Sequence, residues 1–310
     1  MPRATLRPGH VIHYQQTGQG PDVVLIHGLF CNIAFWWFRV APKLAETHRV
    51  TALDLRGHGF SAMTGEGYRA VDLAEDVTEL MTHLGIKDAH LVAHSFGGAV
   101  ALAVATTAPD RVSKLTLADA WVPSLQAMPP LNDQDAWQKL KGRLAKRGIE
   151  VEGEMPRVAQ AFFEELLDAE DEGGAAAASA SGGAGAFAGM QAGGGRQRPT
   201  RAMRRWRELM ERTPANAEFR DPAGLSMDDL KAVRGPVDLI YGTRSRYLKS
   251  RDGLLKALPD ARPVELDGMG HYFPLLRPDA LLRAMGESGK APGLTRGKET
   301  WRDRAAQARR

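Results

Sequence analysis

The chain has 310 residues, 43% hydrophobic and 25% charged, with 33 glycines, 18 prolines and one cysteine. This balance excludes collagen-like, coiled-coil and disulfide-scaffold classes, and Cys31 alone forms no internal bridge, so nothing here depends on an oxidising compartment. The net charge of +4 sits at the end of the chain, where seven Lys and Arg from Gly286 onward stand against three acids and the remainder is neutral; nucleic acid is therefore not an expected partner.

In chain order, residues 10–16 and 22–27 read as strands, the second an apolar run bounded by Gly20-Pro21 and Gly28. Val50 to Leu55 gives another strand, ending at the turn Arg56-Gly57-His58-Gly59. From Asp72 to Leu84 the apolar residues Leu73, Val77, Leu80, Met81 and Leu84 recur at helical spacing, and Gly85 stops the helix. Ala89 to His94 reads as a buried strand, and Gly97 to Thr107 as a small-residue helix packed closely on a sheet. Lys114–Leu117, Val237–Tyr241 and Val264–Leu266 complete the strands. Apolar strands alternating with helices predict a mostly parallel sheet covered on both faces.

The stretch from Trp121 to about Lys231 breaks that alternation. It carries helical patterns at Asp135–Arg147, Arg157–Leu167 and Thr200–Arg212 and no convincing strand. Within it, residues 173–195 hold nine Gly and nine Ala, too little side chain to repay ordering. The expected organisation is a core of residues 1–120 and 232–285, a helical cap over 121–231 with a flexible Gly/Ala loop, and a basic, disordered tail over 286–310. The arginines from Arg196 to Arg207 read as a solvated face. No run approaches the ~18 apolar residues of a membrane span, and the first 18 residues lack the apolar core of a signal peptide. The expected location is the cytoplasm, without stable membrane insertion.

The most specific pattern is Leu91-Val-Ala-His-Ser95-Phe-Gly-Gly98. A serine at a sharp strand-to-helix turn needs small neighbours, because the backbone is strained and the helix passes close to the strand. Such a turn holds Oγ above the sheet edge at the positive end of the next helix. A second strand end opens into a glycine loop at His27-Gly28-Leu29-Phe30. Acyl transfer develops negative charge on a carbonyl oxygen, and the N–H groups of Leu29 and Phe96 are the natural pair to hold it. A late histidine, His271, follows the last strand in Gly268-Met-Gly270-His271, giving the order Ser…His. His94 alternates away from Ser95 along its strand and reads as packing.

Taken together, the His27-Gly28 loop, Asp54-Leu-Arg-Gly-His-Gly-Phe-Ser61, the serine elbow and the Gly-His motif resemble the α/β-hydrolase family from about His10 to Met285. The resemblance implies an α/β-hydrolase fold with a helical cap, and a structural part for Asp54 and His58. Most members carry the triad acid in a Gly-x-x-Asp pattern before the histidine, but here Tyr241-Gly242-Thr-Arg-Ser245 has serine at that place. Serine cannot stabilise an imidazolium. A group of small intracellular bacterial esterases, YbfF-like, is similar in carrying this serine and in taking its acid from the preceding strand, which implies Asp119. Parallel strands lie about 4.8 Å apart, so either edge position can reach the histidine; Asp252 stays open as a fallback, with Asp267 behind it.

The expected chemistry is serine hydrolysis of a small-molecule carboxylic ester or thioester by Ser95, His271 and Asp119, with Leu29 and Phe96 as the oxyanion hole. Phe30, Trp36 and Trp121 are the candidate substrate contacts, with Met128, Trp137, Phe162 and Phe163 of the cap beyond them. No cofactor or metal is expected: the histidines lie in glycine turns, and neither Gly18-Gln-Gly20 nor the triple glycine at 193–195 joins a strand to a helix as a phosphate loop does. Acyl transfer, C–C bond hydrolysis or a non-catalytic ligand-binding role remain alternatives on the same fold, and the oligomeric state is open.

Overall fold

The computed structural model describes residues 2–127, 134–146, 164, 167 and 201–286. Eight strands form one sheet in the order β1-β2-β4-β3-β5-β6-β7-β8. They are β1 (Arg3–Arg7), β2 (His10–Thr17), β3 (Asp22–Ile26), β4 (Arg49–Leu53), β5 (Ala89–His94), β6 (Val112–Ala118), β7 (Val237–Gly242) and β8 (Arg262–Leu266). β2 runs antiparallel to β1 and β4, and every other neighbouring pair is parallel. Six parallel strands, β3 to β8, therefore deliver their carboxyl ends to one edge, where open α/β sheets bind ligands.

Central strand β5 is buried at all six positions, as an apolar run covered on both faces must be. The helices are α1 (Ala34–Trp37), α2 (Ala41–Leu44), α3 (Ala70–His83), α4 (Phe96–Thr107), α5 (Gln134–Ala145), α6 (Arg201–Arg212), α7 (Ala215–Glu218), α8 (Met227–Lys231), α9 (Leu248–Ala257), α10 (Phe273–Leu276) and α11 (Pro278–Met285). α4 is buried from Phe96 through Ala105, packing on β3, β5 and β6 with α3 against its side. α3 opens two residues earlier than its apolar spacing suggests, because the Asp72 carboxylate accepts the Arg69 N–H at 3.0 Å and pairs with its guanidinium at the helix start.

Strand β1 is absent from the sequence reading. Its Arg-Ala-Thr-Leu-Arg alternation buries Ala4 and leaves Arg3 and Thr5 exposed, which a half-covered edge strand allows. Helices α9 and α11 also went unread. Of the described residues between β6 and β7, none forms a strand, and helices α5 and α6 match two of the three expected there. The third is described only at Glu164 and Leu167, both helical. The Gly/Ala stretch 173–195, the tail from 287 onward, and the side chains of Met128, Trp137, Phe162 and Phe163 lie outside the described residues.

Candidate active site

Three non-glycine residues among those described have positive φ, and all three stand just past the ends of parallel strands: Phe30 at 63°, Ser95 at 56° and Asp119 at 51°. Such conformations cost of order 1–3 kcal/mol each and persist where surrounding structure enforces them. Around Ser95 the enforcement is visible. A Cβ on Gly28 would come within 2.7 Å of Ser95 Cβ, and one on Gly97 within 2.5 Å of the His27 carbonyl oxygen. Both glycines are thus required by close approach, and the chain can turn from β5 into α4 within one residue. The Ser95 carbonyl accepts the Trp121 N–H at 3.0 Å, tying the elbow to the end of β6.

The elbow brings three distant side chains into line. His271 Nε2 lies 3.0 Å from Ser95 Oγ, and His271 Nδ1 lies 3.0 Å from Asp119 Oδ2. All three residues are buried. With the carboxylate accepting at Nδ1–H, Nε2 presents its lone pair to the serine hydroxyl. Burial pushes the His271 imidazole well below its ordinary 6.5, and the positive charge of Arg246 adds to that push. The ring is therefore neutral at neutral pH, the form that can accept a proton. Burial pushes the Asp119 carboxyl the opposite way, upward; the nearby Ser245 hydroxyl and the charges of Arg246 and Arg251 oppose it. Ser245 Oγ also accepts the Tyr247 N–H at 2.9 Å.

The other two sequence candidates for the acid are not in this line. Asp252 pairs with its neighbour Arg251 at 2.8 Å, with its side chain half exposed, and Asp267 accepts from Thr243 at 3.3 Å on an exposed turn. The backbone N–H groups of Leu29 and Phe96, expected to hold an oxyanion, donate to no acceptor among the described residues. Both residues flank the Gly28–Ser95 approach. No group of three His, Cys, Asp or Glu among the described residues is arranged to hold a metal ion.

The aromatic candidates separate. Phe30 and Trp121 join a chain of rings that starts at His271. Tyr247 lies 4.5 Å edge-on from His271, and Trp121 lies 6.4 Å from Tyr247 and 5.7 Å from Phe96. Phe219 then meets Phe96 at 5.2 Å, Trp206 stacks parallel to Phe219 at 6.3 Å, and Phe30 closes edge-on to Trp206 at 5.3 Å. Trp36 stands elsewhere: fully buried, it packs edge-on against Phe35 and His94, in the core behind the histidine. Sequence reading missed Phe219 and Trp206. Trp206 carried a usable signal, since Trp206, Leu209 and Met210 mark the apolar face of an otherwise basic helix.

A family model described as alpha/beta hydrolase fold matches residues 21–278. The chain belongs to the alpha/beta hydrolase family. It is 47% identical over 98 residues to the dihydrolipoyllysine-residue acetyltransferase component of the acetoin cleaving system of Pseudomonas putida, covering 32% of this chain and 26% of that one. It is 33% identical over 139 residues to the pimeloyl-[acyl-carrier protein] methyl ester esterase of Aliivibrio salmonicida, covering 45% of this chain and 48% of that one. The matched stretches thus span less than half of these two relatives. The enol-lactonase of Burkholderia xenovorans superposes with a TM-score of 0.64 at 21% identity, covering 92% of this chain and 98% of that one, a likeness of fold.

Proposed function

We propose that this alpha/beta hydrolase cleaves a carboxylic ester or thioester of a small molecule through an acyl-enzyme on Ser95. The observation that carries the reading is the unbroken hydrogen-bonded line from Ser95 Oγ through His271 to Asp119, 3.0 Å at each step, on a strained elbow. His271 takes the serine proton as Oγ attacks the carbonyl carbon, and Asp119 stabilises the imidazolium that forms. The N–H groups of Leu29 and Phe96 receive the charge that develops on the carbonyl oxygen. His271 then returns the proton to the departing alcohol or thiol, and water attacks the acyl-enzyme by the same route.

The ring chain from Tyr247 to Phe30 supports an apolar acyl group of moderate size, since such rings offer dispersion contact and few polar partners. The ester-cleaving relative from Aliivibrio salmonicida supports the same class of substrate. No helix among the described residues is long and apolar enough to cross a membrane, and the cytoplasm is the location we assign.

The test is hydrolysis of p-nitrophenyl esters from acetate to palmitate by the wild type and Ser95→Ala. Wild-type turnover that vanishes in the variant is the expected outcome. Turnover that survives in Ser95→Ala would remove the serine mechanism, and no turnover of any ester between pH 6 and 9 would count against the substrate class.

A further inference from the structure

His271, the base of the proposed reaction, sits on a glycine-rich loop outside any strand. Gly268 and Gly270 precede His271, and β8 has already ended at Leu266. The backbone is pinned upstream, where the Met269 carbonyl accepts the Arg244 N–H at 2.9 Å and the Gly268 N–H donates to Thr243 Oγ1 at 2.9 Å. At His271 itself, His94 reaches the backbone carbonyl. Its Nε2 lies 2.9 Å from the His271 carbonyl oxygen. A carbonyl only accepts, so His94 Nε2 carries the proton and donates it.

The same ring also packs on the catalytic imidazole. Their centroids are 4.5 Å apart with planes inclined 33°, and on its other side His94 stacks against Phe35 at 4.5 Å and 20°. Trp36 and Tyr272 meet its edges at 6.5 and 5.7 Å. His94 is therefore the middle layer of a three-ring stack, buried to 1% exposure, and the residue bonded directly to Ser95. The nucleophile and the clamp on its base thus come from consecutive residues at one strand end. A shift of β5 carries both together, which keeps the distance from Oγ to Nε2 fixed.

We propose that His94 is a positioning residue for the reaction, holding the His271 loop and ring in register with Ser95 through one N–H···O=C bond and one ring face. The role needs histidine because it asks for a flat ring and a donor at its far corner. It also needs that ring uncharged, since a second imidazolium would face the one His271 becomes during acyl transfer. Burial, together with the nearby His271 and His27, holds His94 well below its ordinary pKa. Misplacing a reacting group by about 1 Å can cost 10²-fold in rate, which sets the scale of the effect.

This inference rests on the serine mechanism proposed above, and the experiment separates the two. His94→Phe keeps the flat ring and removes the donor; His94→Gln loses the ring but puts an amide N–H near the place of Nε2. Both are compared with wild type and Ser95→Ala for ester kinetics, thermal midpoint and phosphonylation of Ser95 by a fluorophosphonate, read as intact mass. In that step Oγ bonds to phosphorus, fluoride leaves, and His271 takes the hydroxyl proton, so no natural substrate is required.

We expect His94→Phe to lower kcat and the phosphonylation rate about 10- to 100-fold with KM within about threefold, and His94→Gln to recover most of the loss. Wild-type rates in His94→Phe would overturn the proposal. So would losses in both variants that match only their unfolded fractions, which would make His94 a packing residue. A wild type that neither turns over esters nor labels at Ser95 would instead defeat the serine mechanism, and the positioning role with it.

Discussion

Two buried aspartate–histidine pairs stand past the carboxyl ends of two parallel strands of the sheet, and they differ in what surrounds them. Asp54, just past β4, lies 2.7 Å from His13 Nδ1 and also accepts the backbone N–H groups of Ile33 at 2.7 Å and Phe60 at 2.8 Å. Those bonds outweigh burial and hold its carboxyl below the usual range. Asp119, just past β6, is pushed upward by burial, and its Oδ1 has no hydrogen bond of full geometry among the described residues. Its histidine reaches a serine, whereas His13 Nε2 has no partner there. A saturated carboxylate stitches loops together; an under-saturated one keeps its electrostatic leverage for the histidine beside it.

Substitution should pull the two apart most strongly. Asp119→Asn removes the charge that steadies the His271 imidazolium and permits the wrong tautomer; kcat should fall about 10³- to 10⁴-fold with little change in stability. Asp54→Ala should do the reverse, because it strands His13 and two buried N–H groups. It should cost about 3–5 kcal/mol in urea unfolding while leaving turnover per folded molecule nearly intact. A comparable rate loss in both would erase the distinction.

Acid sharpens the contrast further. His271 serves as a base only when neutral, so kcat/KM falls as pH drops through its pKa, which lies well below 6.5. Activity should therefore stay level down to 6.5, with its acid limb beneath; a limb centred above 6.5 would show that the ring is not held as buried and neutral as its surroundings require. Stability should respond over a wider range. Burial holds His58 and His90 at about 3 against 6.5 when unfolded. Their folded pKa values are depressed, so the stability they confer is complete above 6.5 and drains as pH falls toward 3. Each should lower the unfolding free energy by about 1.4 kcal/mol per pH unit across that window, measured by urea titration.

Legibility in the sequence followed the same division. The elbow, the His27 loop and the Gly-His motif could be read because strained, close-packed backbone admits few residue types, and small residues at fixed spacing record that constraint. Asp119 was harder. Its place depends on β6 lying beside β7, a neighbour relation with no local signature, and it emerged only because Ser245 occupied the expected acid position. His94 was read as packing from strand alternation, which says which way a side chain points but not that the returning loop would lay His271 across it. Strand β1 and the ring chain were missed for related reasons. An edge strand carries a weak alternation, and Phe219 touches Phe96 across a sequence gap that no periodicity spans.

The smallest effect expected is also the one that bears on substrate choice. Phe219 is the hub of the ring chain, meeting Phe96, Trp206, Tyr68 and His58, while Trp206 touches the strained Phe30 beside Leu29, whose N–H is the proposed oxyanion donor. If these rings bound the acyl side of the site, removing one should lengthen the tolerated chain without touching the chemistry. A methylene gained in such a pocket is worth about 1–3 kcal/mol, and relaxation around the gap will absorb part of that. Trp206→Ala should therefore shift the ratio of kcat/KM for octanoate over butyrate p-nitrophenyl esters about 5- to 10-fold toward octanoate, with the phosphonylation rate of Ser95 unchanged. A fall in both esters by the same factor would mean that Trp206 steadies the Phe30 loop and its oxyanion donors, and that the acyl chain lies against some other wall.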